Sequence, residues 1–379
     1  MRHDSKVRRD VRWRMIVLDQ DETRAPRDVI PTTGMPDGPP AAAAEPPAAE
    51  PVIARRRPSW RGHVAIARVD HWFKNVFVLP GIVVALGTDP LVDRAGIGWR
   101  ILIGLLSICL IASSNYTLNE LIDAPFDRYH PTKRLRPVPS GQASVPLGYL
   151  QWVLLMAAGV ALAVQVSVPF MLTVLALWVM GCVYNIPPIR SKDVPYVDVL
   201  SEAVNNPIRM LAGWFMVTDS TIAPSSLLLS YWMIGCYFMA LKRYAEFRNI
   251  ADPRRAAAYR KSFAHFTSDR LLVSVMFYAS AAMLFFGAFC MRYRLELILA
   301  FPAIALVMAV YLSVAMKDNS AAQNPERLYR EPALMASVVG AALVIVVLLS
   351  VDLPIMQRVF TPTAPTDRGG VGAVYAPPR

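Results

Sequence analysis

Charged residues and cysteines are both scarce in this 379-residue sequence. Only 18% of its residues are charged, against about 25% in soluble domains, while 55% are hydrophobic. The four cysteines are widely spaced and form no C-x-x-C pair, so the sequence predicts neither a zinc site nor a dithiol site. No long apolar run precedes Arg55, so no secretory signal peptide is expected. The scarcity of charge excludes an ordinary soluble domain.

The hydrophobic residues are grouped into long runs separated by polar loops. A run of about 20 apolar residues spans a bilayer as a helix, because a helix satisfies its own backbone hydrogen bonds. By this length criterion we predict an all-α membrane protein, a bundle of about nine transmembrane helices. The predicted spans are 73–92, 97–118, 146–166, 169–186, 198–217, 225–242, 270–291, 295–316 and 332–352.

The two ends of the chain differ in composition from the region between them. Residues 1–58 are rich in proline and alanine, and residues 356–379 are polar and rich in proline and glycine. Such segments bury too little apolar surface to offset the entropy lost on ordering, so both are predicted to be disordered tails. Residues 59–355 are predicted to form a single transmembrane catalytic domain in contact with membrane lipids.

Lysine and arginine are concentrated in alternate loops. Loops 119–145, 187–197, 243–269 and 317–331 hold most of these residues in the predicted domain, and the loops between them hold few. Because an excess of lysine and arginine marks the cytoplasmic side, we predict an inner-membrane protein whose N-terminus and active site are cytoplasmic. No nucleic-acid partner is expected, since no recognition motif accompanies the basic residues. The sequence leaves a homo-oligomer open.

The end of the second predicted span carries a cluster of oxygen-bearing side chains. Asp123 and Asp127 are four residues apart, so on a helix they share one face and can bind Mg²⁺ together. Asn119 and Glu120 add oxygen ligands one turn earlier. Since Mg²⁺ prefers one or two carboxylates together with phosphate oxygens, the cluster predicts a diphosphate substrate held through the metal.

A basic loop follows this acidic motif directly. It contains Lys133, Arg134 and Arg136, and cations beside a metal site can bind phosphate oxygens. A loop rich in cations is also typical of the cytoplasmic side of any membrane protein, but the adjacency to the carboxylates favours phosphate binding. His130 is a further candidate for substrate binding.

The acidic motif, the His-Pro-Thr-Lys-Arg-x-Arg-Pro segment at 130–137 and the number of predicted spans resemble the UbiA superfamily of intramembrane prenyltransferases. The resemblance covers nearly all of residues 60–355. It implies a polar catalytic face on the cytoplasmic side of the helix bundle. It also implies that Lys74, in the first-span segment 68–75, reaches the diphosphate of the substrate.

One segment resembles a particular branch of this superfamily. Aromatic prenyltransferases carry a second acidic repeat after the sixth span, whereas this sequence has Lys242, Arg243 and Glu246 there. This resembles the polyprenyl (decaprenyl)-phosphate phosphoribosyltransferases, as does the segment 325–327. The resemblance implies that Lys242 and Arg243 hold the additional phosphate of phosphoribosyl diphosphate.

The remaining candidates lie between the end of the fourth predicted span and the middle of the fifth. Tyr184, Lys192 and Asp198 match a third polar element of the superfamily, in which Lys192 would hold phosphate. The stretch 201–209 departs from the plainer pattern of the phosphoribosyltransferase branch. Its polar residues are further candidates for binding the substrate or its acceptor, and they leave the identity of that acceptor open. They are Glu202, Asn206 and Arg209.

The leading functional hypothesis is Mg²⁺-dependent transfer of a phosphoribosyl group from phosphoribosyl diphosphate to a polyprenyl phosphate. Asp123, Asp127, Lys74, Lys133 and Arg134 would form its catalytic set. A second hypothesis is prenyl transfer from a prenyl diphosphate to an aromatic or other acceptor. A third, from another class, is a lipid-phosphate transporter. The paired carboxylates argue against the transporter, because they would repel the anion that it carries.

Overall fold

The computed structural model describes residues 57–89, 92, 95–128, 133–250, 256, 259–323 and 325–360. The chain divides into two units, Met1–Val52 and Ile53–Arg379, and every described residue belongs to the second. The predicted N-terminal tail therefore lies outside the described residues, except for 57 and 58. In the predicted C-terminal tail, residues up to 360 belong to a short helix, and the remainder also lies outside.

Within these ranges the structure is helical and contains no strand. The all-α prediction is therefore confirmed. Two 3₁₀ segments, Val69–Val78 and Leu295–Ala300, extend neighbouring α-helices. The α-helices are α1 (Trp60–Ile66), α2 (Leu79–Thr88), α3 (Ile97–Asp127), α4 (Val145–Val164), α5 (Val168–Asn185), α6 (Val197–Ala203), α7 (Asn205–Val217), α8 (Ser225–Ile250), α9 (Ser268–Tyr293), α10 (Phe301–Ala315), α11 (Pro332–Ser350) and α12 (Pro354–Phe360).

Seven helical stretches of the described chain are long and apolar enough to cross a membrane. The predicted count of about nine is not confirmed, and two of the predicted spans are absent from the seven. The span predicted at 198–217 divides at Val204 into the short helices α6 and α7. The span predicted at 225–242 lies in α8, whose serine, tyrosine and tryptophan residues reduce its hydropathy.

The helices pack side by side, with α3 along α4, α8 along α9 and α2 along α7. The contact between α2 and α7 depends on two glycines. A Cβ atom at Gly81 would lie 1.8 Å from the carbonyl oxygen of Met210, and one at Gly213 would lie 2.2 Å from that of Val78. Only glycine permits so close an approach of two backbones, as in many membrane helix pairs.

Large apolar side chains cover the outside of this bundle. Leu102, Leu154 and Phe277 are each more than half exposed, on three different spans. In water such a surface would be unfavourable, whereas in a bilayer it faces lipid tails. The fold is therefore that of an integral membrane protein.

The polar loops that alternate along the chain meet at one end of the bundle. There, Lys192 contacts Asp123, Arg260 contacts Asp198, and Arg248 contacts Asp318. At the other end, Thr221 donates a hydrogen bond to Asp89. The basic loops therefore share one membrane face, as the charge distribution predicts.

This sidedness can be tested by labelling single cysteines introduced into a cysteine-free background. Because the basic face is predicted to be cytoplasmic, an impermeant thiol reagent applied to intact cells should label Ser220→Cys and should not label Arg134→Cys. After permeabilisation both positions should react, which controls for accessibility. Labelling of position 134 from outside the cell would reverse the proposed orientation.

Candidate functional site

The central feature of the basic face is a cage of oxygen atoms around the ammonium group of Lys192. Its Nζ lies 2.7 and 2.9 Å from the carboxylate oxygens of Asp123, 3.1 Å from Oδ1 of Asn119 and 2.9 Å from Oδ1 of Asn185. Because α3 continues to Asp127, Asn119 and Asp123 share one face of this helix. Burial lowers the pKa of Lys192, and the neighbouring Asp123 partly opposes that effect.

A second cation completes this group. Nη2 of Arg190 lies 3.0 Å from Asp123, and its Nε donates to Asp193 at 3.0 Å. The backbone of Arg190 lies in the left-handed region, with φ of 30°, a conformation that is uncommon for a non-glycine residue. We call Asn119, Asp123, Asn185, Arg190 and Lys192 the Asp123 cluster.

The other carboxylates of the acidic motif have different partners. Asp127 accepts a hydrogen bond of 2.7 Å from Nη1 of Arg136 and is buried. Glu120, a predicted metal ligand, instead accepts the backbone N–H of Val138 at 3.0 Å. Because Glu120 is also buried, its contact fixes the loop after α3 and directs its carboxylate away from the Asp123 cluster.

A second charged group surrounds Arg243, whose side chain is 1% exposed. Its Nε donates to Asp198 at 3.2 Å, Nη1 to Glu246 at 3.1 Å and Nη2 to Glu202 at 2.6 Å. Arg260 adds a contact of 2.8 Å to Asp198. We call Asp198, Glu202, Arg243, Glu246 and Arg260 the Arg243 cluster. Arg243 organises these carboxylates, and it presents no exposed nitrogen to a substrate phosphate.

Tyr184 connects the two clusters. Its hydroxyl donates to Glu202 at 3.0 Å, while the ammonium of Lys192 lies 5.9 Å from the centre of its ring. Asp193 links the Asp123 cluster to the loop that carries Arg260, because it contacts both Arg190 and Lys261. The polar residues predicted after the second, fourth and sixth spans are therefore neighbours in one site.

The first predicted span contributes a third group of polar residues. Lys74 lies 3.0 Å from Nδ1 of His71, whose other ring nitrogen contacts Arg68. The neighbouring residue, Asn75, accepts a hydrogen bond of 3.2 Å from Nε of Arg209 on α7. The 3₁₀ segment therefore carries Lys74 and, through Asn75, a contact to Arg209.

The remaining predicted residues are distributed around this face. Lys133 lies 5.2 Å above the ring of Tyr259, and burial lowers the pKa of its ammonium group. Arg134 lies in the same 3₁₀ turn, Lys133–Leu135. The amide of Asn206 lies against Gly235 of α8. Lys242 is half-buried and makes no hydrogen bond or salt bridge within the described part of the chain. His130 lies outside the described residues.

Three residues of the site are absent from the sequence-based candidates. Asn185 and Arg190 belong to the Asp123 cluster, and Arg260 belongs to the Arg243 cluster. For the first two, the sequence signal was their position between Tyr184 and Lys192, which were both candidates. Nothing in the sequence pointed to Arg260, because it is far from Asp198 along the chain and their contact forms only in the folded protein.

The oxygen atoms around Lys192 fit a bound cation. Asn119, Asp123 and Asn185 already direct four side-chain oxygens at a positive charge. No group of three or more His, Cys, Asp or Glu residues in the described part of the chain, including this site, is arranged to hold a metal ion. A metal held here would therefore need amide or phosphate oxygens in addition to carboxylates, which is the usual environment of Mg²⁺.

The helical bundle and its polar site define a class of protein, an integral membrane protein whose carboxylates and cations gather at one face. The chain matches the model of the UbiA prenyltransferase family over residues 75–350. It belongs to this family, and it is a transferase of the UbiA superfamily. The resemblance predicted from the sequence is confirmed.

Relatives and solved structures agree with this assignment. The chain is 32% identical over 227 residues to a decaprenyl-phosphate phosphoribosyltransferase of Mycobacterium tuberculosis, covering 60% of this chain and 72% of the relative. The protein of the same name from Mycolicibacterium smegmatis is 30% identical over 230 residues, covering 60% and 69%. A UbiA homologue from Archaeoglobus fulgidus, solved with GPP and Mg²⁺, superposes with a TM-score of 0.58. It is 21% identical, and the match covers 76% of this chain and 100% of the homologue.

Proposed function

We propose that this protein transfers a phosphoribosyl group from phosphoribosyl diphosphate to a polyprenyl phosphate, such as decaprenyl phosphate, and releases diphosphate. The relatives named decaprenyl-phosphate phosphoribosyltransferase support this choice. The structural observation that most supports phosphoribosyl transfer concerns Lys242. This half-buried cation replaces the second acidic repeat and has no hydrogen-bond partner in the described chain, so it is available to a phosphate.

Asn119, Asp123 and Asn185, whose oxygens surround Lys192 in the structure, would hold Mg²⁺. Asp127, the next carboxylate on the same face of α3, would join them on release from Arg136. When bound, the ion neutralises the negative charge that develops on the departing diphosphate. In this arrangement Lys192 and Arg190, which contact Asp123 in the structure, turn their donors to phosphate oxygens. Glu120 is left out of the ligand set, since its carboxylate holds the backbone of Val138.

The chemical step exchanges one bond at the anomeric carbon of the ribose. The bond to the diphosphate oxygen breaks, and its electron pair leaves with the diphosphate. An oxygen of the lipid phosphate, already ionised, forms the new bond, so no general base is required. Cations of the site therefore have two tasks, stabilising the leaving group and orienting both phosphates.

The reaction can be tested with purified protein in nanodiscs containing a polyprenyl phosphate. Radiolabelled phosphoribosyl diphosphate should yield a labelled lipid and release diphosphate, and the product should be lost when Mg²⁺ is chelated. Labelled prenyl diphosphate should remain intact. Consumption of the prenyl diphosphate, with phosphoribosyl diphosphate untouched, would instead make the protein a prenyltransferase.

The role of Lys242 gives a more specific prediction. Because Arg243 is enclosed by carboxylates, we assign the 5-phosphate of the donor to Lys242 alone. Lys242→Gln should raise KM for phosphoribosyl diphosphate about ten- to a hundredfold, the effect of losing one charge-assisted contact. Michaelis constants for donor and lipid would be measured separately, and the lipid KM should change little.

Lys317→Gln is the matched control, because Lys317 is exposed and pairs with Glu331, which belongs to neither cluster. Inorganic diphosphate, which has no 5-phosphate, should inhibit the wild type and Lys242→Gln equally. An unchanged KM for the donor in Lys242→Gln would remove this residue from the site.

A further inference from the structure

Arg209 is a cation of the bundle whose guanidinium group is only partly engaged. Its Nε donates to Oδ1 of Asn75, and Asn75 in turn donates to the sulfur of Cys109 at 3.2 Å. Among the described residues, neither terminal nitrogen of Arg209 has a hydrogen-bond partner, and no carboxylate forms a salt bridge with it. Asn75 is buried and fixes the orientation of the guanidinium, so the two free nitrogens have a defined direction.

The surroundings of Arg209 do not balance its charge. Among the described residues, the ionisable groups that act on Arg209 are Tyr116, Tyr231 and Cys109, and all three are neutral at physiological pH. A charged side chain within a membrane bundle is costly unless it is paired, and such residues usually mark a substrate pathway. Arg243, by contrast, is surrounded by three carboxylates. The charge of Arg243 is therefore balanced by neighbouring carboxylates, whereas the charge of Arg209 has no carboxylate partner among the described residues.

The position of this cation relates it to the Asp123 cluster. Tyr116, Asn119 and Asp123 follow one another on α3 at intervals of three and four residues, so they share a face. With a rise of about 1.5 Å per residue, Tyr116 lies about 10 Å from Asp123 along the helix, toward the membrane interior. Asn75, which holds Arg209, contacts Cys109, a residue of α3 that lies still farther from Asp123 than Tyr116 does. Arg209 therefore lies deeper in the bundle than the carboxylates.

The same region borders the lipid-facing surface. Asn75 belongs to the 3₁₀ segment Val69–Val78, in which Phe73 and Val76 are 53% and 54% exposed. The hydroxyl of Tyr231, on α8, donates to the carbonyl oxygen of Phe77 at 3.3 Å. An anion bound by Arg209 would therefore have both the proposed reaction centre and an exposed apolar surface close by.

We propose that Arg209 binds the phosphate of the isoprenoid acceptor, with the chain of the lipid leaving along the 3₁₀ segment. This inference rests on the proposed function. In it, the two phosphate-bearing substrates bind at different positions. The donor occupies the Asp123 cluster and Lys242, while the acceptor phosphate occupies the deeper site. The two terminal nitrogens of Arg209 match the paired oxygens of a phosphate.

The test measures binding of farnesyl phosphate, a short acceptor analogue, by calorimetry to the full-length protein in nanodiscs without any donor. The wild type should bind farnesyl phosphate and should not bind farnesol. Arg209→Gln should weaken binding of farnesyl phosphate about ten- to a hundredfold, as expected for the loss of a charge-assisted contact. Arg248→Gln is the matched control, since Arg248 is exposed on α8 and pairs with Asp318. It should bind as the wild type does.

A second variant covers the case in which Arg209→Gln is not recovered folded. Arg209→Lys keeps the charge but loses the planar pair of donors, so it should bind farnesyl phosphate about tenfold more weakly. Unchanged affinity in the recovered variant would overturn the inference. So would a selective loss of affinity for phosphoribosyl diphosphate, which would place the 5-phosphate at Arg209.

A failure of the proposed function would give a different experimental result from a failure of this inference. A protein that does not transfer phosphoribosyl groups, but binds farnesyl phosphate in an Arg209-dependent manner, would retain the lipid-phosphate site. The proposed donor alone would then be wrong.

Discussion

Asp123→Asn is expected to reduce kcat by about a hundred- to a thousandfold, because it removes the carboxylate at the centre of the proposed metal site. In the structure both oxygens of Asp123 contact Lys192, and one also contacts Arg190. Asparagine preserves the shape of the side chain and one oxygen ligand but removes the charge. Turnover would be measured at saturating substrates over a range of Mg²⁺ concentrations. Asp127→Asn should show a loss of the same kind.

Glu120→Gln provides the matched control for this prediction. Glu120 lies in the same motif, but its carboxylate accepts a backbone hydrogen bond from Val138. Its replacement should lower thermal stability and leave the dependence of turnover on Mg²⁺ unchanged. Binding of Mn²⁺, followed by electron paramagnetic resonance, gives a readout that is independent of turnover. It should weaken in Asp123→Asn and persist in Glu120→Gln. Near-normal turnover of Asp123→Asn at saturating Mg²⁺ would show that the metal site lies elsewhere.

Arg243→Met is expected to be the most destabilising single substitution in the polar face. It removes the cation that contacts Asp198, Glu202 and Glu246, and it leaves those buried or half-buried carboxylates without their common partner. Breaking a buried ion pair from one side typically costs about 3–5 kcal/mol, because the remaining charge is uncompensated. Thermal unfolding in detergent should show a large decrease in Tm. Arg248→Met, which removes an exposed cation from the same helix, should change Tm little.

A double substitution separates this explanation from simple loss of packing. Glu246→Gln combined with Arg243→Met removes one of the uncompensated carboxylates. The double variant should therefore be less destabilised than the sum of the two single variants. Strict additivity would indicate that Arg243 stabilises the fold through its hydrocarbon stem. If Arg243→Met were stable and had a raised KM for the donor, that result would instead support the direct contact between Arg243 and phosphate that the sequence predicts.

Much of the candidate site could be anticipated from local sequence pattern. The spacing of Asn119, Asp123 and Asp127 predicts one helical face, and α3 extends through all three residues. The charge distribution predicts that the basic loops share a membrane face, and contacts such as Arg260 with Asp198 agree. Both predictions depend on short-range properties, helical periodicity and hydropathy, which the chain carries along its length.

The assignment of individual side chains was less predictable. Glu120 is adjacent to Asn119 in sequence, yet a helix directs neighbouring side chains about 100° apart, and Glu120 meets the loop at Val138. Lys242 and Arg243 are likewise adjacent, but one is half-buried without a hydrogen-bond partner in the described chain and the other lies within the Arg243 cluster. From the sequence alone, the two residues of each pair are predicted to have the same role.

The sequence by itself determined the class of this protein: an all-helical membrane transferase with carboxylates and cations at one face. Hydropathy, periodicity and motif spacing are local properties, so folding does not alter them. Only the tertiary structure decided which charges are paired. Lys192 meets Asp123 across 69 residues, and Arg243 meets Asp198 across 45. Such contacts depend on how α3, α6 and α8 pack together. The packing encloses Arg243 among carboxylates and leaves Arg209 with an open guanidinium, because burial and the distance to a counter-charge are properties of the assembled bundle.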